Sequence, residues 1–199
     1  MKDNQIITIG RQVGAGGNAL GQELSKRLNI PFYDKEILAE ASKNSGLTQE
    51  LFEKHDEKST GSFLYSLAMG LSSYGQPYQK PLMLELYLAQ FETIKKLADQ
   101  GPCIFIGRCS DYVLRDYKNA FHVFMNADLD VRAERIMSSS GVDRKKAEEM
   151  CIKGDKGRAS YYNYYSNELW GDAKHYDLCI NTTHISVDKA ADIIMSCLE

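Results

Sequence analysis

A glycine-rich segment lies directly between an apolar run and an amphipathic run near the start of the chain. Residues 5–9 have the β-branched composition of a strand, and the leucines of residues 19–28 recur at every fourth position, on one face of a helix. Between them, four glycines fall within residues 10–17. The backbone amides of such a turn and the positive N-terminus of the helix form a nest for an anion. The loop, residues 10–18, therefore predicts a phosphate site, with a tight turn that binds nothing as the alternative.

The loop departs from the standard phosphate-binding pattern GxxxxGK[ST] at its cation. Gly17 and Asn18 follow Gly16, where the pattern has a lysine and a hydroxyl residue. That lysine ordinarily reaches the β- and γ-phosphates, and the hydroxyl ordinarily ligates Mg²⁺. Arg11 lies in the same loop and is predicted to supply the missing charge. The alternative for Arg11 is a solvated or structurally paired side chain.

Short apolar runs recur along the rest of the chain and alternate with amphipathic segments. This alternation predicts one α/β domain over residues 1–199, with helices on a parallel sheet of about five strands. The expected strands are residues 5–9, 31–33, 103–106, 121–125 and 176–180, and the expected helices include residues 19–28, 82–100 and 187–198. A charged region at 130–170 is predicted to be helical. The Ser-, Gly- and Tyr-rich residues 61–81 predict a mobile or partner-facing segment.

Composition and charge exclude several classes of function. The 199 residues carry a formal net charge of −3, which gives no general attraction to nucleic acid or to an anionic membrane. The apolar stretches are short and no signal peptide is recognised, so a cytoplasmic protein is expected. The five cysteines lack a CxxC pair and the four histidines lack metal-ligand spacing. Free thiols are therefore expected, and no disulfide scaffold, protein-bound metal centre or nucleophile is predicted.

Six short motifs, in their order along the chain, resemble those of a known enzyme family. They are IGRQVGAGG (9–17), PFYDKE (31–36), IGRCSDY (106–112), DKGRASYY (155–162), WGD (170–172) and YDLCIN (176–181). The motifs span nearly the full length, and the chain resembles the cytidylate kinase-like family, a branch of the P-loop nucleoside monophosphate kinases. The resemblance implies a three-layer α/β/α P-loop NTPase-like fold with a helical lid at about residues 130–170.

The resemblance implies that the glycine loop binds the donor nucleotide. ATP is then the expected donor, with Mg²⁺ bridging its phosphate oxygens, and the loop residues expected around the phosphates are Gly14, Ala15, Gly16, Gly17 and Asn18. Phosphoryl transfer requires that charge on the transferring group be neutralised while water is excluded. The cations expected to do so are Arg11, Arg132, Arg135 and Arg158. For each arginine of the lid, a solvent-exposed helix pair is the alternative.

Two positions that follow parallel strands are expected to hold the phosphoryl acceptor. Asp34 follows the second strand and Arg108 follows the third, and open α/β sheets bind ligands outside these carboxyl ends. A helix cap is the alternative for Asp34, and a structural ion pair is the alternative for Arg108. The resemblance matches residues 107–109 to a Gly-Arg-Asp turn of cytidylate kinases, with Cys in place of Asp. Asp111, a candidate partner of Arg108, and Lys156 complete the expected acceptor site.

The predicted function is ATP-dependent phosphoryl transfer to a nucleoside monophosphate such as CMP or dCMP. Two alternatives stay open: a nucleotide- or phosphometabolite-binding protein with weak or no kinase activity, and a kinase for a non-nucleotide small molecule. The expected partner is a nucleotide or small phosphorylated substrate, not a polynucleotide or a membrane, and a homodimer is left open. The tyrosines of residues 161–165 are expected to pack the lid or a subunit contact, with stacking on a base as the alternative.

Overall fold

All five expected strands lie in one parallel sheet. The computed structural model describes residues 5–55 and 82–198, so the segment 61–81 lies outside the described residues. The strands are β1 (Ile6–Arg11), β2 (Phe32–Tyr33), β3 (Cys103–Ile106), β4 (Ala120–Asn126) and β5 (Leu178–Asn181). They pair in the order β2-β3-β1-β4-β5, and every neighbouring pair is parallel. The last strand begins two residues later than expected, after a short 3-10 turn at Ala173–His175.

The helices of the described residues connect and flank these strands. They are α1 (Gly17–Leu28), α2 (Glu36–Ser45), α3 (Gln49–His55), α4 (Leu82–Ala98), α5 (Ser110–Val113), α6 (Leu129–Ser140), α7 (Arg144–Ser166) and α8 (Val187–Cys197). The charged region predicted as helical thus forms two helices. Gly141, with a positive φ of 66°, ends α6, and the Asp143 carboxylate caps α7 by accepting from the Lys146 amide.

Both faces of the sheet are covered, which gives the expected three layers. Ile7 and Ile9 of β1 pack with Leu20 and Leu24 of α1, whereas Ile6 packs on the opposite face with residues of α4. Successive side chains of a strand point to opposite faces, so a parallel strand buried on both faces is apolar throughout. This explains why the central strands read as continuous apolar runs.

The strand order places a crevice at the carboxyl ends of β1 and β3. The helix that follows β1 packs on one face of the sheet, and the helix that precedes β3 packs on the other. Where the winding direction reverses in this way, the loops after the two strands separate and leave a binding crevice. The glycine loop follows β1, and the turn at residues 107–109 follows β3, so both expected motifs meet at this crevice.

Candidate phosphate and acceptor site

The glycine loop leaves the end of β1 and enters α1 through two residues with left-handed backbone. Gly14 and Gly16 have φ values of 78° and 89°, which side chains other than glycine rarely adopt. Gly16 is the N-cap of α1, and no side-chain oxygen of the described residues caps this helix. The first amides of α1 therefore lack the capping partner that most helices have, and they suit an anionic ligand.

Two arginines of α6 hold the carbonyl side of this loop. Arg132 donates to the Val13 carbonyl at 3.1 Å, and Arg135 donates to the Gly14 carbonyl at 3.2 Å. Only a glycine permits so close an approach at position 14, because a Cβ there would lie 2.7 Å from the Arg132 carbonyl oxygen. In the described state these two expected catalytic cations therefore fix the shape of the loop.

Arg11 occupies space beside the position of the missing lysine. A Cβ atom added at Gly17 would lie 2.8 Å from the Cγ and 2.9 Å from the Cβ of Arg11. Such distances are shorter than real Cβ contacts, and the atoms concerned are at the rigid end of the arginine side chain. The residues at 11 and 17 are thus sterically linked, and a side chain at 17 requires that Arg11 move.

Asp34 and Arg108 form a buried ion pair across the crevice. Arg108 is 2% exposed, and its guanidinium donates to the Asp34 carboxylate at 2.8 Å and to the Ile106 carbonyl at 3.0 Å. The second oxygen of Asp34 accepts from the side-chain amide of Asn18 at 3.0 Å. The N-cap of α2 is Lys35, so the helix-cap alternative for Asp34 is wrong. The ion pair and the Asn18 bond therefore connect the glycine loop to the turn after β3.

Asp111 lies in a narrow pocket between this turn and α7. Its side chain is buried, and its Oδ2 atom has no hydrogen-bond partner among the described residues. Burial raises the pKa of the carboxyl group, and hydrogen bonding from the Tyr162 and Tyr176 hydroxyls, together with the nearby His122, opposes that rise. Residues that line the same pocket include Gly10, Arg11, Arg108, Arg158 and Tyr176. An unpartnered carboxylate oxygen beside arginines suits a ligand that has both an anionic group and a hydrogen-bond donor.

The expected lid residues separate into three environments. Arg158 of α7 lines the pocket and donates to the Arg11 carbonyl at 3.0 Å. Lys156 is exposed on the same helix and is not among the residues that line this pocket. Asp155 reaches the glycine loop, where its carboxylate accepts from the Val13 amide and from Arg132, each at 2.7 Å. The structure therefore brings Arg158 to the crevice and leaves Lys156 outside it.

The tyrosine cluster packs α7 against α4, as expected for a packing role. Tyr165 stacks on Tyr87 of α4 with ring centroids 3.9 Å apart and an interplanar angle of 7°. Tyr161 and Tyr162 are 4% and 3% exposed, whereas Tyr164 is 43% exposed. The buried members hold α7 at the crevice through aromatic contacts.

Sequence reasoning missed two residues that shape the donor loop. In the sequence, Asp155 shows only the i, i+3 spacing of a helix pair with Arg158, and its bond to the loop joins residues 142 positions apart. Thr182, directly after β5, donates to the Ala15 carbonyl at 2.9 Å, and its own carbonyl accepts from Arg135 at 2.7 Å. The sequence signal for Thr182 is its position directly after a strand, and the signal for Asp155 is its position next to a glycine within a helix.

The fold and the loop define a class before any relative is considered. A parallel α/β sheet whose first strand runs through a glycine loop into the first helix is the P-loop kinase-like arrangement. The model of the cytidylate kinase-like family matches residues 6–184, and the chain belongs to this family.

Relatives and solved structures agree with this class. The chain is 24% identical to the cytidylate kinase of Methanocaldococcus jannaschii over 197 residues, covering 98% of this chain and 97% of that one. It is similar to a crystal structure of an uncharacterized protein from Eubacterium ventriosum, with 30% identity, a TM-score of 0.75 and 98% coverage of both chains. A shikimate kinase structure from Bacteroides thetaiotaomicron matches with a TM-score of 0.56 and 16% identity over 98% of each chain, which shows a shared fold.

The described residues lack two further features. Within residues 5–55 and 82–198, no helix combines the length and hydropathy that a bilayer crossing requires. The same ranges contain no group of three or more His, Cys, Asp or Glu side chains placed to hold a metal ion.

Proposed function

We propose that this protein transfers the γ-phosphoryl group of ATP to a nucleoside monophosphate, with CMP and dCMP as the first acceptors to test. The observation that carries the proposal is the meeting of a glycine anion loop with the buried Arg108 and Asp111 at one crevice. Membership of the cytidylate kinase-like family supports it. A donor site and an acceptor site side by side are what a direct transfer between two nucleotides requires.

On the donor side, the loop binds phosphate through its backbone. The amides of residues 14–18 surround the phosphates, and Arg11 supplies the charge of the absent lysine from the opposite end of the loop. Its stem against Gly17 supports this role, because the side chain starts next to the position that the lysine would occupy. The positive charge is thus supplied by residue 11 instead of residue 17, from a side chain whose first carbon atoms lie beside residue 17.

The oxygen atoms beside the start of α1 fit Mg²⁺. Asn18 stands where the hydroxyl ligand is expected, and its side chain bonds the Asp34 carboxylate. Amide and carboxylate oxygens are hard ligands that Mg²⁺ accepts, and a nucleotide-bound ion keeps several waters. Asn18 and Asp34 are the residues that would hold it, and when bound it neutralises charge on the phosphate oxygens.

Cations of the lid and the crevice stabilise the transferring group. Arg132 and Arg135 fix the loop from its carbonyl side, so their charges lie near the donor phosphates. Arg158, held against the Arg11 carbonyl, faces the crevice between donor and acceptor. Donors that are already oriented require little reorganisation during the reaction, which is the main source of electrostatic catalysis.

On the acceptor side, Arg108 and Asp111 have complementary tasks. The guanidinium of Arg108, oriented by Asp34, binds the anionic group of the acceptor. The free oxygen of Asp111 accepts from a hydroxyl or an amine of the same molecule. Asp111 lies two residues after Cys109 and so supplies a carboxylate close to where the family turn has its Asp.

A second candidate is a kinase for a small hydroxyl compound. The observation that favours it is the same buried Asp111 carboxylate, which has an unpartnered oxygen where a reacting hydroxyl needs a proton acceptor. Transfer to a phosphate oxygen needs no such base. The two candidates therefore differ in the acceptor, and they share the donor site.

The test is ADP formation from Mg·ATP with CMP, dCMP, UMP, AMP, GMP, a panel of small hydroxy acids, or no acceptor. We expect ADP release to depend on a pyrimidine monophosphate. For Arg108→Ala, we expect kcat/KM to fall at least about 100-fold. Arg115→Ala is the matched control, because the Arg115 side chain is half-exposed and does not line the pocket. Its contacts are with Asp116 and with the carbonyl and ring of Tyr112.

The outcomes separate the candidates. Release with a hydroxy acid alone supports the second candidate. Binding of ATP without release for any acceptor overturns the kinase proposal and favours a nucleotide-binding protein. Asp111→Asn provides a second variant if Arg108→Ala does not fold.

A further inference from the structure

A carboxylate of the chain itself occupies the glycine loop. The Oδ1 atom of Asp155 accepts from the Val13 amide at 2.7 Å, and its Oδ2 atom accepts from the Arg132 guanidinium at 2.7 Å. The side chains of Arg132 and Asp155 are 8% and 16% exposed. A loop amide and an arginine are the pair of donors that such loops also offer to a phosphate oxygen. The carboxylate therefore has the position and the chemistry of a bound anion.

This contact depends on close packing between α7 and the loop. A Cβ at Gly154 would lie 2.5 Å from a methyl group of Val13, so only glycine lets the helix approach this far. Arg132 is held in place independently, because it also donates to the Val13 and Ala127 carbonyls at 3.1 and 2.9 Å. The Arg132 guanidinium thus has two hydrogen bonds that do not involve Asp155.

We propose that the Val13 amide and Arg132 form an anion site for a phosphoryl group of the donor, and that Asp155 fills this site until the donor replaces it. The proposal rests on the proposed function for the identity of the donor. Two anions cannot share one amide and one guanidinium without strong repulsion, so binding the phosphoryl group requires that the carboxylate withdraw. Because Asp155 is on α7, its withdrawal couples donor binding to the position of the predicted lid.

A purely structural brace makes the opposite prediction. If Asp155 only shapes the loop for the donor, its removal disorders the site and weakens anion binding. If Asp155 competes with the donor, its removal strengthens anion binding. The sign of the change in affinity therefore decides between the two roles.

The experiment measures binding of inorganic tripolyphosphate by titration calorimetry, without acceptor or turnover. We expect Asp155→Asn, which keeps the size of the side chain and removes its charge, to bind at least about 5-fold more tightly than the wild type. Asp130→Asn is the matched control, because Asp130 is an exposed residue of α6 that pairs with Arg144, and its affinity should equal that of the wild type. Equal or weaker binding by a folded Asp155→Asn variant overturns the proposal.

A second measurement uses the wild-type protein in case the variant does not fold. Hydrogen exchange is followed over residues 144–166 with and without tripolyphosphate. Displacement of Asp155 predicts faster exchange around Gly154 and Asp155 when the anion is bound, and unchanged or slower exchange there contradicts it. Neither measurement involves phosphoryl transfer, so an enzyme that fails to release ADP but shows both effects refutes the proposed function and leaves this inference intact.

Discussion

The close packing of Gly154 against Val13 predicts that Gly154→Ala destabilises the wild-type protein but stabilises the Val13→Ala variant. An alanine Cβ at 154 would lie 2.5 Å from the Val13 Cγ2 atom, whereas ordinary contact begins at 3.4 Å. The helix or the loop must shift to relieve this overlap, at a cost of about 1–3 kcal/mol for an overpacked site. The same shift lengthens the 2.7 Å bond between the Val13 amide and Asp155, and its loss adds about 1 kcal/mol.

Helix propensity opposes this cost. Gly154 is inside α7, where alanine is favoured over glycine by about 1 kcal/mol. The net expectation for Gly154→Ala is therefore a loss of about 1–3 kcal/mol of unfolding free energy. Val13→Ala removes the clashing methyl group but keeps the backbone amide that bonds Asp155. In that background the remaining Val13 Cβ contact is 3.7 Å, so Gly154→Ala should stabilise the protein by up to about 1 kcal/mol.

The assay is urea unfolding of the wild type, both single variants and the double variant, followed by circular dichroism. Stabilities compare directly when the dependence on denaturant is the same in all four proteins. For a chain of this size, each kcal/mol corresponds to about 2–4 °C in Tm, which gives an independent reading. A Gly154→Ala effect of the same sign and size in both backgrounds would falsify the argument, because the two sites would then not be in steric contact.

Two further predictions concern the acceptor crevice. Asp34→Asn leaves the buried Arg108 without its carboxylate partner and should lower the unfolding free energy by about 1–3 kcal/mol, measured by the same titration. For Asp111, burial raises the folded-state pKa above 3.8, so the stability of the wild type that depends on the neutral carboxyl is lost as pH rises through the folded value. Asp111→Asn should therefore gain stability relative to the wild type with rising pH, and a difference that is constant from pH 4 to 8 would contradict this reasoning.

Local patterns were sufficient to predict the sheet and the glycine loop. The strands are short apolar runs buried on both faces, and each run carries its own signal. The division of residues 130–170 into two helices was not predicted, although Gly141 and Asp143 are ordinary end and start signals. Element type followed from periodicity, and element boundaries depended on single capping residues.

Side-chain partners were predicted less well, because tertiary contacts prevailed over local preferences. Asp34 precedes a helix and fits a local cap, yet its carboxylate bonds Arg108, which is 74 positions away. Asp155 and Arg158 have the spacing of a helix pair, yet Asp155 bonds Arg132 and the Val13 amide. Leaving a buried arginine without an anionic partner costs more free energy than leaving an exposed helix end without a cap. The sequence identifies the charged residues, but pairs that are far apart along the chain are identified only from the fold.

The steric link between Arg11 and Gly17 also limits how this loop can change by mutation. A lysine introduced at 17 alone must force aside the rigid end of Arg11, and a glycine introduced at 11 alone leaves the loop with neither side chain. The steric overlap at 17 is relieved only when Arg11 shifts or is replaced by a smaller residue. The two positions form one steric unit, so we expect this loop to exchange with a lysine-bearing loop by a paired substitution at 11 and 17.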